Sequence, residues 1–174
     1  MKTGLTLPLS ISSIRLNDLS PLILESQRIL FYGIGNIGRQ DDGLGIQLID
    51  NLEKFSKNSK IEFQSNYQLN IEDSLEISTF DLVIFVDATI EPNAIAPYEL
   101  RKLKPSIEIA FSTHAMSMES ILALCDQLYG RTPKAFSLTI PGYQWEVMEE
   151  LSENAANNLD LTTKDLKLCL KNKI

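Results

Sequence analysis

The sequence is poor in cysteine and histidine. Its two cysteines, Cys125 and Cys169, lie far apart and outside any CxxC motif, so they form no recognisable metal-binding or redox motif. Both fall on the apolar faces of predicted helices, which favours buried, reduced thiols and a reducing cytoplasm. A chain of 174 residues buries roughly 70% of its unfolded surface and needs no crosslink to hold its core.

Positive charge is also scarce. The chain has 16 Lys and Arg against 23 Asp and Glu, a net charge of −7, and no basic stripe, which argues against a nucleic-acid-binding face. No apolar run approaches the length of a transmembrane helix, and the N-terminus lacks a signal-peptide pattern. We therefore expect a cytoplasmic protein whose partners include neither nucleic acid nor membrane.

Strand-like and helix-like segments alternate along the chain. Apolar runs predict five strands, at residues 29–32, 61–64, 82–86, 107–111 and 134–140. Helical periodicity predicts helices at residues 43–56, 71–77, 118–129 and 152–171. This order predicts an α/β fold of three layers, in which a mostly parallel, twisted sheet of about five strands carries helices on both faces.

The predicted α/β domain spans residues 28–174 without an internal repeat or linker. Residues 1–27 have weak periodicity, and we expect them to be an N-terminal extension packed on the domain. Within it, Ser20 and Pro21 resemble the N-cap and first position of a short helical turn.

Polar residues follow three predicted strands at their carboxyl ends, where open α/β sheets bind ligands. Asp42 lies in the glycine-rich loop after the first strand, Asp87 follows the central strand, and His114, the only histidine, follows the next. Taken singly, Asp42 or its neighbour Asp41 would cap a helix, Asp87 would cap a backbone amide, and His114 would be a half-buried imidazole. Their joint placement on one edge favours a functional site.

Two carboxylates and an imidazole are a suitable ligand set for a borderline divalent ion such as nickel or zinc. Without a cation, two carboxylates that are held close together repel each other, which disfavours ionisation of both. The three residues therefore predict a site that seeks a metal ion, with coordination positions left open for water or substrate.

A nucleotide site is a competing interpretation. Gly33, Gly35 and Gly38 fit the GxGxxG pattern of dinucleotide-binding loops. However, four residues separate the third glycine from the predicted helix, and the two acids among them would repel a pyrophosphate. A nucleotide-binding α/β protein therefore stays a weaker alternative. Serine and cysteine hydrolases are less favoured still, because the chain has no GxSxG motif and no cysteine placed to pair with His114.

The sequence resembles the hydrogenase maturation endopeptidases over about residues 28–171. The matching segments are residues 33–36, 41–45, 67–72 and 86–88, together with a histidine that opens a later helix. The resemblance implies an endopeptidase that removes a short C-terminal extension from the large-subunit precursor of a nickel–iron hydrogenase after nickel has been inserted.

The resemblance places the three metal-contacting positions, which are also the catalytic ones, on Asp42, Asp87 and His114. The nickel would be supplied by the precursor, and zinc or another divalent ion would replace it in vitro. The metal ion would polarise the peptide carbonyl or activate water, or a carboxylate would act as an aspartyl-type general base. We expect a monomer. A non-catalytic metal- or precursor-binding protein of the same fold, or a peptidase with another substrate, stays an open alternative.

Overall fold

The computed structural model describes residues 14–90, 95–106 and 116–171. The strands in these ranges are β1 Ile29–Ile34, β2 Ile61–Asn66, β3 Leu82–Ile90, β4 Glu99–Lys102 and β5 Lys134–Gly142. The helices are α1 Leu16–Glu25, α2 Leu44–Glu53, α3 Asp73–Ile77, α4 Met118–Tyr129 and α5 Glu153–Lys171, with a 3-10 turn, Gln40–Gly43, before α2. In this part of the chain no helix combines the length and apolar character needed to cross a membrane.

The strands form one sheet in the order β2-β1-β3-β5-β4. The first four pair in parallel, and β4 runs antiparallel to β5 at the edge. Two hydrophobic clusters pack against the sheet, one with α1, α2 and α5 and the other with α3 and α4. The predicted fold class, a mostly parallel five-stranded sheet with helices on both faces, is confirmed.

The central strand β3 is clearly recognisable in the sequence as an apolar run. All five residues of its apolar run, residues 82–86, are completely buried, because helices cover both faces of a parallel sheet. The strand continues beyond the run to Ile90, so the prediction that Asp87 follows the strand is wrong. Asp87 instead lies within the paired part of β3, opposite Thr139 of β5.

The prediction for the N-terminal helix was wrong at its start. The helix begins at Leu16 and not near Ser20, so Pro21 lies inside it and removes one intrahelical N–H donor. The carboxylate of Asp18 accepts a 2.8 Å hydrogen bond from the Arg15 N–H and closes the first turn. The apolar face of α1 packs on α5, with buried residues at helical spacing, namely Leu16, Leu19 and Ile23. Residues 1–13 lie outside the described residues, so the division at residue 27 stays a prediction.

The predicted strands differ from the described ones at two places. The prediction missed β4, whose four residues show no strand pattern and of which only Leu100 is buried. The predicted strand at residues 107–111 falls outside the described residues. The other predicted helices agree with α2, α3, α4 and α5 to within a few residues, and the largest of these differences is at the end of α2, which is Glu53 and not residue 56.

Candidate functional site

The turn before α2 points two adjacent carboxylates in different directions. Asp41 is fully buried, and its oxygens accept four hydrogen bonds of 2.7–2.9 Å. The donors are the backbone N–H groups of Tyr143, Gln144 and Ser152 and the hydroxyl of Ser152. Burial alone would raise the pKa of Asp41, but these hydrogen bonds outweigh it and hold the pKa below its usual value. Through these hydrogen bonds Asp41 holds residues 143–152 against the turn.

Gln40 strengthens the same connection. Its φ of +46° is unusual for a residue with a side chain. The surrounding contacts hold it there, because its N–H donates to the Met148 carbonyl at 2.6 Å and its Oε1 accepts from the Glu146 N–H at 2.9 Å. Residues 40 and 41 are thus structural. Of the two aspartates in this turn, only Asp42 is left partly exposed and able to contact a ligand. Neither aspartate caps α2, whose N-cap is Gly43.

We expect Asp41→Asn to lower the free energy of unfolding by roughly 2–4 kcal/mol, because the amide cannot accept all four hydrogen bonds and leaves buried donors unpaired. The stabilisation by Asp41 requires its ionised form, so it is present above the unfolded-state pKa and is lost as the pH falls through the lower folded-state pKa. Urea denaturation at neutral pH measures the loss. Asp50→Asn, an exposed change on α2, is the control. Equal stability of the two variants would contradict this role for Asp41.

Asp42 is half-buried and held by the backbone of the loop around it. Its N–H donates to the Arg39 carbonyl, and its own carbonyl accepts from the Asn36 N–H, both at 3.1 Å. Gly35, with φ +142°, lies against that carbonyl so closely that no side chain fits there. Burial raises the pKa of Asp42, although the charge of Arg39 opposes this shift.

Asp87 is the other carboxylate of the site. Its Oδ1 accepts a 2.8 Å hydrogen bond from the Ala88 N–H. Burial, together with a smaller effect of the negative charge of Asp42, raises its pKa to about 7 against the opposing effect of that hydrogen bond. The two carboxylates are therefore close enough to repel each other. Near neutral pH Asp87 is suited to gain or lose a proton, and a bound cation would favour its ionised form.

The two aspartates line one cleft of about 610 Å³ at the carboxyl edge of the parallel strands. Its other walls are the loop after β2, the start of α4, the end of β3, and residues of β4 and β5. The lining residues that sequence reasoning missed include Arg101, Glu119, Ser137 and Thr139. Arg101 lies in a charged surface segment, Glu119 lies in the first turn of a predicted helix, and Ser137 and Thr139 lie inside a predicted strand, so no local signal marked them.

The structure brings together two of the three predicted site residues. His114 lies outside the described residues, so its place beside Asp42 and Asp87 stays a prediction. Within the described ranges, no three His, Cys, Asp or Glu side chains form a metal-ligand group. Two carboxylates leave most coordination positions of a divalent ion open. Such a partial ligand set suits an ion that already has other ligands when it binds.

The glycines of the loop are explained by packing and not by a phosphate. A side chain on Gly45 would collide with the carbonyl oxygens of Ile34 and Val86, since α2 begins directly against β1 and β3. The acidic residues Asp41 and Asp42 occupy the turn that would have to receive a pyrophosphate. The loop geometry therefore favours the carboxylate site over the nucleotide alternative.

Comparison with known proteins supports the same fold. The sequence matches no protein-family model and no curated protein. Among solved structures, the NiFe hydrogenase maturation protease HycI from Thermococcus kodakarensis superimposes with a TM-score of 0.71 and 21% identity, covering 88% of this chain and 98% of that one. The hydrogenase maturating endopeptidase HybD from E. coli gives a TM-score of 0.63 and 21% identity, covering 83% and 93%.

A third similar structure is the hydrogenase 2 maturation peptidase from a Thaumarchaeota archaeon, with a TM-score of 0.60 and 17% identity, covering 82% of this chain and 97% of that one. The chain thus has the fold of these hydrogenase maturation proteases over most of its length. The family resemblance that the sequence motifs indicate is confirmed at the level of the fold.

Proposed function

We propose that this chain is an endopeptidase that removes a C-terminal extension from the nickel-loaded large-subunit precursor of a nickel–iron hydrogenase. The observation that carries the proposal is the meeting of Asp42 and Asp87 in one cleft. This cleft lies at the ligand-binding edge of a fold shared with HycI and HybD, both of which are hydrogenase maturation proteases.

In this proposal the nickel ion belongs to the substrate. Asp42 and Asp87 contact the nickel of the precursor, and His114 supplies the third contact. The repulsion between the two carboxylates is relieved when the cation binds, so the protein favours a precursor that carries the metal over one that does not. Zinc or another divalent ion would occupy the same residues in vitro.

Asp87 is the residue we assign to proton transfer. In the free protein its pKa is about 7, so the bound cation, which favours the ionised form, leaves a carboxylate able to accept a proton from an attacking water molecule at cellular pH. Asp42, beside it, contributes charge that stabilises the metal-bound substrate. We place the reaction in the cytoplasm and expect the protein to act as a monomer.

We expect kcat/KM for precursor processing to rise with pH through about 7 and then to level off. The reason is that both metal contact and proton acceptance need the ionised form of Asp87, whose pKa in the free protein is about 7. Initial rates at subsaturating precursor between about pH 5.5 and 8.5 measure this profile. A flat profile over that range would remove Asp87 from proton transfer and from metal contact.

A gel-mobility assay tests the proposed function. We expect the native protein to shorten nickel-loaded precursor and Asp42→Asn to leave it intact. Asp50→Asn, an exposed aspartate on α2, should process like the native protein. Stable binding of the precursor without shortening would favour the non-catalytic alternative.

A further inference from the structure

Two polar side chains in the cleft have no partner in the part of the chain that the structure describes. Arg101, on the edge strand β4, is exposed and takes part in none of the ion pairs found there. The hydroxyl of Ser137 on β5 is buried, with the residue 2% exposed, and has no hydrogen-bond partner. Because a buried hydroxyl without a partner costs free energy, its presence at a cleft points to a ligand.

The side chains of Arg101 and Ser137 are neighbours on the sheet. Arg101 lies directly opposite Ser137 in the antiparallel pairing of β4 with β5, so both side chains lie on the same face of the sheet. Phe85, two residues before Asp87, is the residue of β3 opposite Ser137. All three polar residues, Asp87, Ser137 and Arg101, line the same cleft.

The sheet geometry sets the distance between this pair and the catalytic carboxylates. Arg101 lies two strands across from Asp87 and two residues along, which corresponds to a Cα separation of roughly 12 Å. An extended peptide covers that distance in about three or four residues. A substrate bound at Asp42 and Asp87 would thus reach Arg101 within a few residues of its scissile bond.

The chemistry of the pair is that of a carboxylate-binding site. A guanidinium group is always charged and presents its N–H donors in a fork that fits a carboxylate, and a serine hydroxyl adds one more donor. The other charged side chains that line the cleft among the described residues are Asp42, Asp87 and Glu119, all acidic. An acidic group of the substrate would be repelled along most of the cleft and attracted at Arg101.

We propose that Arg101 and Ser137 form a subsite that binds a carboxylate of the precursor's C-terminal extension, a few residues from the scissile bond. This proposal rests on the proposed function and adds to it the residues that would select the sequence of the extension. The carboxylate belongs to an acidic side chain or to the chain terminus of a short extension. In both cases the subsite fixes the register of the extension across the catalytic carboxylates.

Binding of nickel-loaded precursor to the immobilised protein, measured in the cold alongside processing kinetics, tests the subsite. We expect Arg101→Gln to weaken binding about 10- to 100-fold, the range for a charged hydrogen-bonded pair, and to raise KM much more than it lowers kcat. Arg101→Lys should recover part of the loss, and Ser137→Ala should weaken binding a few-fold. Lys102→Gln is the matched control, because this neighbouring cation is exposed and does not line the cleft.

Two altered precursors identify the carboxylate. In one, the acidic residues of the extension become amides, and in the other, the chain ends in a carboxamide. One of the two alterations is expected to weaken binding to the native protein but not to the Arg101→Gln variant. That alteration identifies the carboxylate that Arg101 binds. Equal affinity of Arg101→Gln and the native protein, or additive losses with both precursors, would overturn the subsite.

The same data separate this inference from the proposed function. If the native protein binds the precursor without cutting it and Arg101→Gln still binds more weakly, the subsite stands and the peptidase proposal fails. If the native protein cuts the precursor and Arg101→Gln binds it equally well, the subsite fails alone. A native protein that binds no precursor would overturn both.

Discussion

Replacing Asp87 by asparagine is expected to abolish precursor processing and, at the same time, to make the folded protein more stable at about pH 8. Under the proposed function the activity falls by about 1,000-fold or more, because the amide could neither accept a proton nor supply anionic charge to the nickel of the precursor. A merely structural aspartate would show the opposite stability change, since its loss would remove favourable contacts.

The stability gain follows from the sign of the pKa shift. The pKa of Asp87 is raised from 3.8 to about 7 by burial and by Asp42, so the folded state holds a proton that the unfolded chain has already released. Native stability therefore declines as the pH rises from about 4 to 7 and stays reduced above that. Asparagine removes this decline, and we expect a gain of roughly 1–3 kcal/mol at pH 8.

Urea denaturation of the native and Asp87→Asn proteins at about pH 5 and pH 8 measures the effect. We expect the difference between the proteins to be larger at the higher pH. Asp50→Asn, whose side chain is exposed, should shift neither stability nor processing. A variant that is less stable than the native protein at pH 8, or one that still processes the precursor, would contradict the assignment of Asp87.

Gly45→Ala is expected to prevent folding or to destabilise the protein by about 4 kcal/mol or more. The added methyl group would collide with the backbone oxygens of Ile34 and Val86, which belong to the two central strands and cannot move aside. The packing of α2 on the sheet, and with it the position of Asp42, depends on this glycine. Thermal unfolding and the soluble yield of the variant measure the effect.

Gly130→Ala provides the matched control. Gly130 ends α4 with φ +62°, and a side chain there would meet no atom within 4 Å. The expected loss is therefore only the cost of a left-handed conformation, about 1–2 kcal/mol. If the two glycine variants were equally stable, the close contact between α2 and the strands would not be the reason for the glycine at position 45.

The fold was predictable because its central part is encoded locally. The apolar runs of β1 and β3 and the periodic faces of α2, α4 and α5 each identify a single kind of element, and their alternation leaves few topologies. The edge strand β4 was not predictable, because its residues are mostly exposed and it is a strand only through pairing with β5. Likewise the start of α1 follows from burial against α5, which outweighs the local preference of Pro21 for a first turn.

The meeting of Asp42 and Asp87 in the candidate site was predictable for the same reason. The strand-end rule directs attention to Asp42 and Asp87. It does not distinguish Asp42 from Asp41, since only the distant segment 143–152 makes one of them structural. No local sequence signal marks Arg101 or Ser137. They lie next to each other only because β4 and β5, which are more than thirty residues apart in sequence, pair in this register.

The most direct test of the account is the intact mass of a large-subunit precursor from the same source, before and after incubation with this protein. The precursor is prepared with and without nickel, and the metal content of each preparation is verified first. We expect the loss of one discrete C-terminal peptide from the nickel-loaded precursor and none from the nickel-free precursor. An unchanged mass of the loaded precursor, or equal cleavage of both, would contradict it.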